Sequence, residues 1–313
     1  MHKHLTSYLL YHEYKIHHRS WRSSLGHASS REKIGGAPAN FAFHASQFGL
    51  PTKVVSAVGN DTLGDELISA FQKKHLNLNI SRVDYPTGTV QVTLDAQGIP
   101  CYEICQNVAW DHITFNEELE QLAYNTRAVC FGSLAQRSNE SRKAIYQFID
   151  TMPSGKGQYK VFDINLRQQF YSRELIKESM KRANVLKIND EELTIVSQLF
   201  GYEWSEDCLK NICEEFIVRF KLDILILTCG TRGSYVFTND ACSFCETPQI
   251  KVADTVGAGD SFTGSFVAAL IHGLSISEAH QLAVDVSAFV CQNEGAMPSL
   301  PNQLIEKVKQ EEL

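Results

Sequence analysis

Residues 254–270 read DTVGAGDSFTGSFVAAL. Three small residues, Gly257, Ala258 and Gly259, lead straight into an apolar helical run. Amides at a helix N-terminus with little side chain in front of them form an anion hole. Asp260 lies immediately inside it, where a carboxylate would repel phosphate unless it has another task. Accepting a proton from an attacking hydroxyl, while the amides hold a transferring phosphoryl group, is such a task. The same residues also suit a Gly-rich helix start with Asp as partner of the helix dipole.

Working outward, apolar β-branched runs alternate with helical patterns from Thr52 onward. KVVSAV (53–58), AVCFGS (128–133), KVFDIN (160–165), NVLKIN (184–189) and DILILT (223–228) read as buried parallel strands, nearly continuous in apolar residues. Helix-like segments lie around 62–74, 138–150, 172–183 and 205–220. The expected fold is α/β, an open, doubly wound, mostly parallel sheet with helices on both faces. Residues 87–104, TGTVQVTLDAQGIPCYEI, alternate polar and apolar around Gln97–Gly98 and read as an antiparallel hairpin. Such a hairpin is either edge decoration or a small β lid that excludes water.

Polar residues gather at predicted strand ends, where open α/β sheets bind ligands. FDINLR ends a strand with Asp163, Asn165 and Arg167. LKINDEEL puts Asn189 and Glu192 three apart just past another strand, on one helical face. There they can serve a hydrated Mg²⁺ or cap an acidic helix start. In TCGTRGSYVF, Thr228, Gly230 and Gly233 form a strand-to-turn element that suits nucleotide phosphates or a plain hairpin. GGAPANFAFHASQFG opens with Gly35 and Gly36, which allow backbone to approach a ligand, and Asn40 then starts a helix facing the same way. Amides and an Asn side chain would hold a polyol. His44 on that helix reads as packed or solvated rather than catalytic.

The chain has 313 residues, 43% hydrophobic and 21% charged, enough for one large α/β domain or two small ones with ample core. A net charge of −7 argues against nucleic acid as a main partner, since phosphate binding wants a basic face. Of nine cysteines only Cys242 and Cys245 have CxxC spacing, and no second pair completes a zinc site. Reduced thiols in a cytoplasmic protein are the expectation. No apolar run approaches the ~20 residues needed to span a bilayer, and no membrane partner is expected.

The order of these motifs is similar to that of the ribokinase (PfkB) family of carbohydrate kinases. Gly-Gly with a following Asn, Asp-x-Asn-x-Arg, Asn-x-x-Glu and Asp-Thr-x-Gly-Ala-Gly-Asp carry the resemblance over roughly residues 34–300, and GGAPANFA, FDINLR and NDEEL look most like its fructokinase branch. The resemblance implies transfer of the ATP γ-phosphoryl group to a sugar hydroxyl, most readily fructose to fructose 6-phosphate. A 2-keto-3-deoxygluconate, ribose or nucleoside kinase, or an impaired binding protein, are the alternatives. It implies Asp260 as base, residues 257–259 as anion hole, and Mg²⁺ near Asn189 and Glu192. Sugar contacts would come from Gly35, Gly36, Asn40 and Asn165, with Arg167 near the transferring phosphate. ATP would meet Asn189, Thr228, Gly230 and Gly233. A monovalent cation such as K⁺ would sit near Asp254 and the NEGAMPS turn (293–299), where Asn293 would face adenine. The hairpin matches the family's lid, through which a homodimer would form.

The amino terminus departs from that pattern. The family begins with a strand leading to Gly-Glu or Gly-Asp and then a sugar-binding Asp, whereas residues 1–33 are rich in His, Arg and Ser and contain no Asp. The acid-poor composition also fits a divergent extension or a transit peptide. A third reading concerns frame. Trp21 has one codon, TGG, so a one-base forward shift gives a codon beginning GG, always Gly. With suitable codons, Arg22 to Ser30 then read Gly-Glu-Val-Leu-Trp-Asp-Met-Leu-Pro, and Lys15 to Ser20 read Lys-Phe-Ile-Ile-Gly-His. The expectation is an atypical, poorly ordered segment 1–33 produced by a frameshift, followed by a kinase domain over 34–313.

Overall fold

The structure is a computed structural model describing residues 7–10, 17–18, 36–94, 100–203, 205 and 208–309. In chain order its strands are β1 (Ser7–Leu10), β2 (His17–His18), β3 (Thr52–Gly59), β4 (Leu78–Val83), β5 (Val90–Leu94), β6 (Pro100–Ile104), β7 (Ala128–Gly132), β8 (Tyr159–Asp163), β9 (Val185–Asn189), β10 (Ile224–Thr228), β11 (Ser234–Phe237) and β12 (Cys242–Cys245). The helices are α1 (Ala37–Gln47), α2 (Thr62–Lys73), α3 (Glu117–Tyr124), α4 (Asn139–Thr151), α5 (Arg173–Arg182), α6 (Asp190–Leu199), α7 (Leu209–Phe220), α8 (Ala258–Ile271) and α9 (Ile276–Cys291).

The apolar runs become the central sheet, in the order β12-β11-β10-β9-β8-β7. Strands β7 to β10 are parallel, and β11 and β12 fold back antiparallel. Pleating sends alternate residues to opposite faces. Val129, Phe131, Phe162, Leu186, Ile188, Leu225 and Leu227 join one core, which includes residues of α3 to α7. Cys130, Val161, Val185, Ile224 and Ile226 join a second, with α1, α2, α8 and α9. Both faces are covered, which is why these strands lack polar alternation. A second sheet, β1-β3-β4, is parallel and approaches the first where β1 runs close to β7.

Helix α8 is buried from Ser261 to Ile271, as suits a helix that is apolar all round. Its hydroxyls turn inward: Thr263 Oγ1 donates to Gly259 O at 2.8 Å and Ser265 Oγ to Ser261 O at 2.7 Å. Gly264 brings α8 against α1, since a Cβ there would lie 2.8 Å from Phe41 O. The sequence-predicted helix over 205–220 begins later, at Leu209.

The 87–104 segment is the antiparallel pair β5–β6, with β2 alongside β5; its predicted Gln97–Gly98 turn lies outside the described residues. Its entry is tied to the end of β3: Asp61 caps α2 by accepting from Gly64 N and also accepts from Thr87 N, each at 2.8 Å. The sequence reading finds no first strand before residue 34. The structure nevertheless pairs Ser7–Leu10 with Thr52–Val55, because the short apolar run Tyr8–Leu10 meets an otherwise open strand edge. His17–His18 also pair, with Val90–Gln91, and the rest of the 1–33 expectation lies outside the described residues. No helix among those described is long and apolar enough to cross a membrane.

Candidate active site

The parallel strands end their carboxyl edges together, with Asp163 opposite Lys187 and Asn189 opposite Thr228 in register. Together with the start of α1, the start of α8 and the turn after α9, they enclose a cleft of about 1580 Å³. It is lined by Gly36, Asn40, Asn165, Arg167, Asn189, Glu192, Thr228, Gly230, Gly233, Asp254, Gly257, Ala258, Gly259 and Asp260. Thus nearly all the sequence-predicted positions meet in one place. Gly35 lies outside the described residues. Asn293 does not line the cleft: its amide donates to Phe289 O at 2.7 Å, back onto α9, while Cys291, Glu294, Gly295 and Ala296 do line it.

Gly257 N-caps α8 in the left-handed region, at φ 81, so the turn needs glycine. A Cβ there would also lie 2.7 Å from Ala296 Cβ. The first turn of α8 therefore presents its N-terminus to the cleft beside Asp260. Ala258 turns its amide toward Thr255 O in a long, 3.3 Å bond.

Asp260 accepts from Asn40 Nδ2 at 2.8 Å through Oδ2. Burial pushes its carboxyl up to about 6, with the Asp163 charge acting in the same direction, while Asn40, Lys187 and Arg167 oppose it. Beneath it lies a buried ion pair, Lys187 Nζ to Asp163 Oδ1 at 3.2 Å. Burial works to lower Lys187, but the carboxylates of Asp163, Glu192 and Asp260 outweigh it and hold the ammonium well above its usual range. Gly259 leaves room for that ammonium: a Cβ there would lie 3.1 Å from Nζ.

Asn189 and Glu192 form a capping box at the start of α6. Asn189 Oδ1 accepts from Glu192 N at 2.7 Å, and Glu192 Oε2 accepts from Asn189 N at 3.1 Å. Glu192 Oε1 also accepts from Leu166 N at 2.9 Å, which fixes the approach to Arg167. Burial raises the Glu192 carboxyl above its ordinary range. Gly230 begins a 3-10 turn between the antiparallel strands β10 and β11, so TCGTRG is a hairpin and also a wall of the cleft. Three buried polar atoms of the lining, Asn40 Oδ1, Asp163 Oδ1 and Arg167 Nε, have no hydrogen-bond partner, although Asp163 Oδ1 faces the Lys187 ammonium. Unpaired buried groups cost stability, and a polyhydroxy ligand would supply what they lack.

Lys187 is the residue that the sequence reading missed. Its signal was a lone lysine inside an apolar strand, VLKIN, two positions before Asn189 and so on the same face of β9.

The sequence model for pfkB family carbohydrate kinases matches residues 21–303. The chain belongs to that family. It is 29% identical over 281 residues to the ATP-dependent 6-phosphofructokinase of Thermoanaerobacterium thermosaccharolyticum, covering 87% of this chain and 83% of the relative. It is 26% identical to the fructokinase of Salmonella typhimurium, covering 86% and 89%, and 26% identical to the nucleoside kinase of Methanocaldococcus jannaschii, covering 90% and 87%. Its fold resembles the solved fructokinase with bound ATP from Xylella fastidiosa, with a TM-score of 0.79, 17% identity, and coverage of 97% of this chain and 98% of that one. The ribokinase-like α/β fold and the pfkB membership expected from the sequence are both found.

Proposed function

We propose that this pfkB kinase transfers the γ-phosphoryl group of ATP to a hydroxyl of a neutral sugar, with fructose to fructose 6-phosphate as its reaction. The observation that carries this reading is the pairing of a buried, Asn-held carboxylate, Asp260, with the N-terminus of α8 in one cleft. Asp260 takes the proton of the sugar hydroxyl as its oxygen bonds to the γ-phosphorus. The bond from that phosphorus to the bridging oxygen of the β-phosphate breaks, and ADP leaves with the electron pair. The amides at 257–259 and Arg167 hold the charge that spreads over the transferring group.

The charges of the lining support a neutral sugar over a phosphorylated one. Its acidic residues are Asp163, Asp190, Glu191, Glu192, Asp254, Asp260 and Glu294, and its basic residues among those described are Arg167 and Lys187. Lys187 is already paired with Asp163. A second phosphate on the sugar would meet few cations. Val252, Val284 and Ala288 are apolar residues of the lining that would suit adenine, and the hairpin turn at Gly230 to Gly233 would suit the phosphates.

No group of three or more His, Cys, Asp or Glu among the described residues is arranged to hold a metal ion. Glu192 spends an oxygen on each of two backbone amides, so the residues fit a Mg²⁺ that arrives on ATP and meets Glu192 and Asn189 through water. Bound there, Mg²⁺ would neutralise charge on the phosphates. Asp254 accepts from Val256 N at 3.1 Å and Gly295 N at 3.3 Å, and in this reading a K⁺ ion would sit beside that turn. Cys105, Cys130, Cys208, Cys213, Cys229, Cys242, Cys245 and Cys291 are free thiols, which supports a cytoplasmic setting. Pairing of lid sheets between two copies completes the reading; light scattering after size exclusion gives the mass that tests it.

ADP release should be followed across fructose, fructose 6-phosphate, ribose, 2-keto-3-deoxygluconate and nucleosides. Fructose should give the highest kcat/KM. A preference for fructose 6-phosphate would overturn the argument from charge.

A further inference from the structure

Helix α1 carries two side chains that reach in different directions along one face. Asn40 holds Asp260. One turn later, His44 is fully buried and its Nε2 lies 2.9 Å from Ala296 O, across 252 positions of sequence. Burial, with the Lys74 charge adding to it and the Ala296 bond opposing it, lowers His44 to about 4, so the ring is neutral at ordinary pH. A neutral ring facing a carbonyl must carry its proton on Nε2, and its Nδ1 then accepts from Gln47 Nε2 at 3.3 Å. Gln47 in turn accepts from Leu300 N at 2.7 Å through Oε1. Lys74 of the segment after α2 donates to Met297 O at 3.0 Å. The turn at 294–300 is thereby pinned from the α1 side at several backbone positions.

The other side of that turn touches the phosphoryl site. Ala296 packs against the place where a Gly257 side chain would be, and Gly295 N donates to Asp254 Oδ2. Gly295 and Ala296 also line the cleft. One rigid helix turn therefore separates the side chain that holds the base from the side chain that sets the wall behind the anion hole.

We propose that His44 is a positioning residue for phosphoryl transfer, holding the 294–296 turn against Gly257 so that the nucleotide side of the cleft keeps register with Asn40 and Asp260. This rests on the kinase reading above for its effect on turnover, though not for the contact itself. His44→Leu fills the space but takes the donor from the half-buried Ala296 carbonyl. His44→Gln restores an N–H near the position of Nε2.

Deuterium uptake by the full chain, followed by mass spectrometry, reads the contact directly. In His44→Leu, uptake should rise in peptides covering 293–300 and 255–260 and stay unchanged in the central strands; His44→Gln should return it toward the parent. With ATP and the best sugar, His44→Leu should raise the KM for ATP about five- to tenfold, the factor carried by one lost hydrogen bond. It should also lower kcat while leaving the KM for the sugar near its parent value, and Gln should reverse most of this. If His44→Leu does not fold, Gln47→Ala cuts the same tie at Leu300 and should loosen the same peptides. Unchanged uptake over 293–300, or a lowered melting temperature with the KM for ATP unmoved, would overturn the proposal. A parent chain that phosphorylates none of the sugars refutes the kinase reading, and the uptake comparison still decides the contact.

Discussion

Asn40 donates a 2.8 Å hydrogen bond to the Asp260 carboxylate, joining the start of α1 to the start of α8 across 220 positions of sequence. The bond orients the carboxylate and favours its ionised form, while burial and Asp163 act the other way. A carboxylate balanced near 6 is ionised at neutral pH yet basic enough to take a proton.

Asp260→Asn should lower kcat by about 10²- to 10⁴-fold or more while leaving ATP binding intact, read by calorimetric titration beside turnover. Unchanged turnover would remove Asp260 as base.

The same substitution has an opposite effect on stability. Because the folded carboxyl titrates at about 6 against an ordinary 3.8, folding favours its protonated form. That contribution is complete below the unfolded value and is lost as pH rises through the folded one, with each pH unit between the two values worth about 1.4 kcal/mol. Asp260→Asn should therefore melt above the parent at pH 8 and level with it below pH 4.

The pH profile of kcat/KM should show an acid limb with an apparent pKa near 6 from Asp260. Asp163→Asn removes a neighbouring negative charge and releases the Lys187 ammonium from its partner, so both changes move the limb to lower pH. A limb that stays in place, or moves upward, contradicts this electrostatic account.

Gly257→Ala forces a Cβ into a left-handed position 2.7 Å from Ala296 Cβ. The start of α8 must shift, so the expected result is a loss of stability of about 1–3 kcal/mol, with a larger proportional loss of kcat. Gly273→Ala has a similar φ, 91, with open space around it, and serves as the comparison: it should cost stability and spare kcat.

Glu192→Ala takes the acceptor from the half-buried amides of Leu166 and Asn189, at about 1 kcal/mol for each hydrogen bond lost. Urea unfolding should show this, with Glu192→Gln intermediate. Turnover should fall as well, because the Leu166 bond sets the backbone next to Arg167.

The start of the chain has its own test. The gene sequence over its first hundred or so bases either permits the shifted peptide or excludes it, since each codon choice is then known. Turnover confined to a chain carrying the shifted-frame start would mark residues 1–33 as a damaged first strand and sugar site. Equal turnover in both would show that the segment is dispensable.

Much of this architecture was legible because it is local. KVFDIN and DILILT declare buried parallel strands by their unbroken apolar character, and GAGD declares a helix start by three small residues before an acid. The capping role of Glu192 was visible in its spacing from Asn189, although its third bond, to Leu166 N, was not. The family resemblance put Asn293 beside adenine, yet its side chain spends its donor on its own helix. A choice between a neighbour's carbonyl and a ligand lies in rotamer and packing, which spacing does not report.

By itself, the sequence determined the alternation of strands and helices, the family, and the set of polar residues that end on one edge of the sheet. Periodicity and turn chemistry encode those things within a few residues. Only the tertiary structure decided which of the polar residues touch: Asn40 with Asp260, Lys187 with Asp163, and His44 with Ala296. Those pairings depend on how α1, α8 and the central strands pack, which the chain settles by burying apolar faces far apart in sequence, and not by any local pattern.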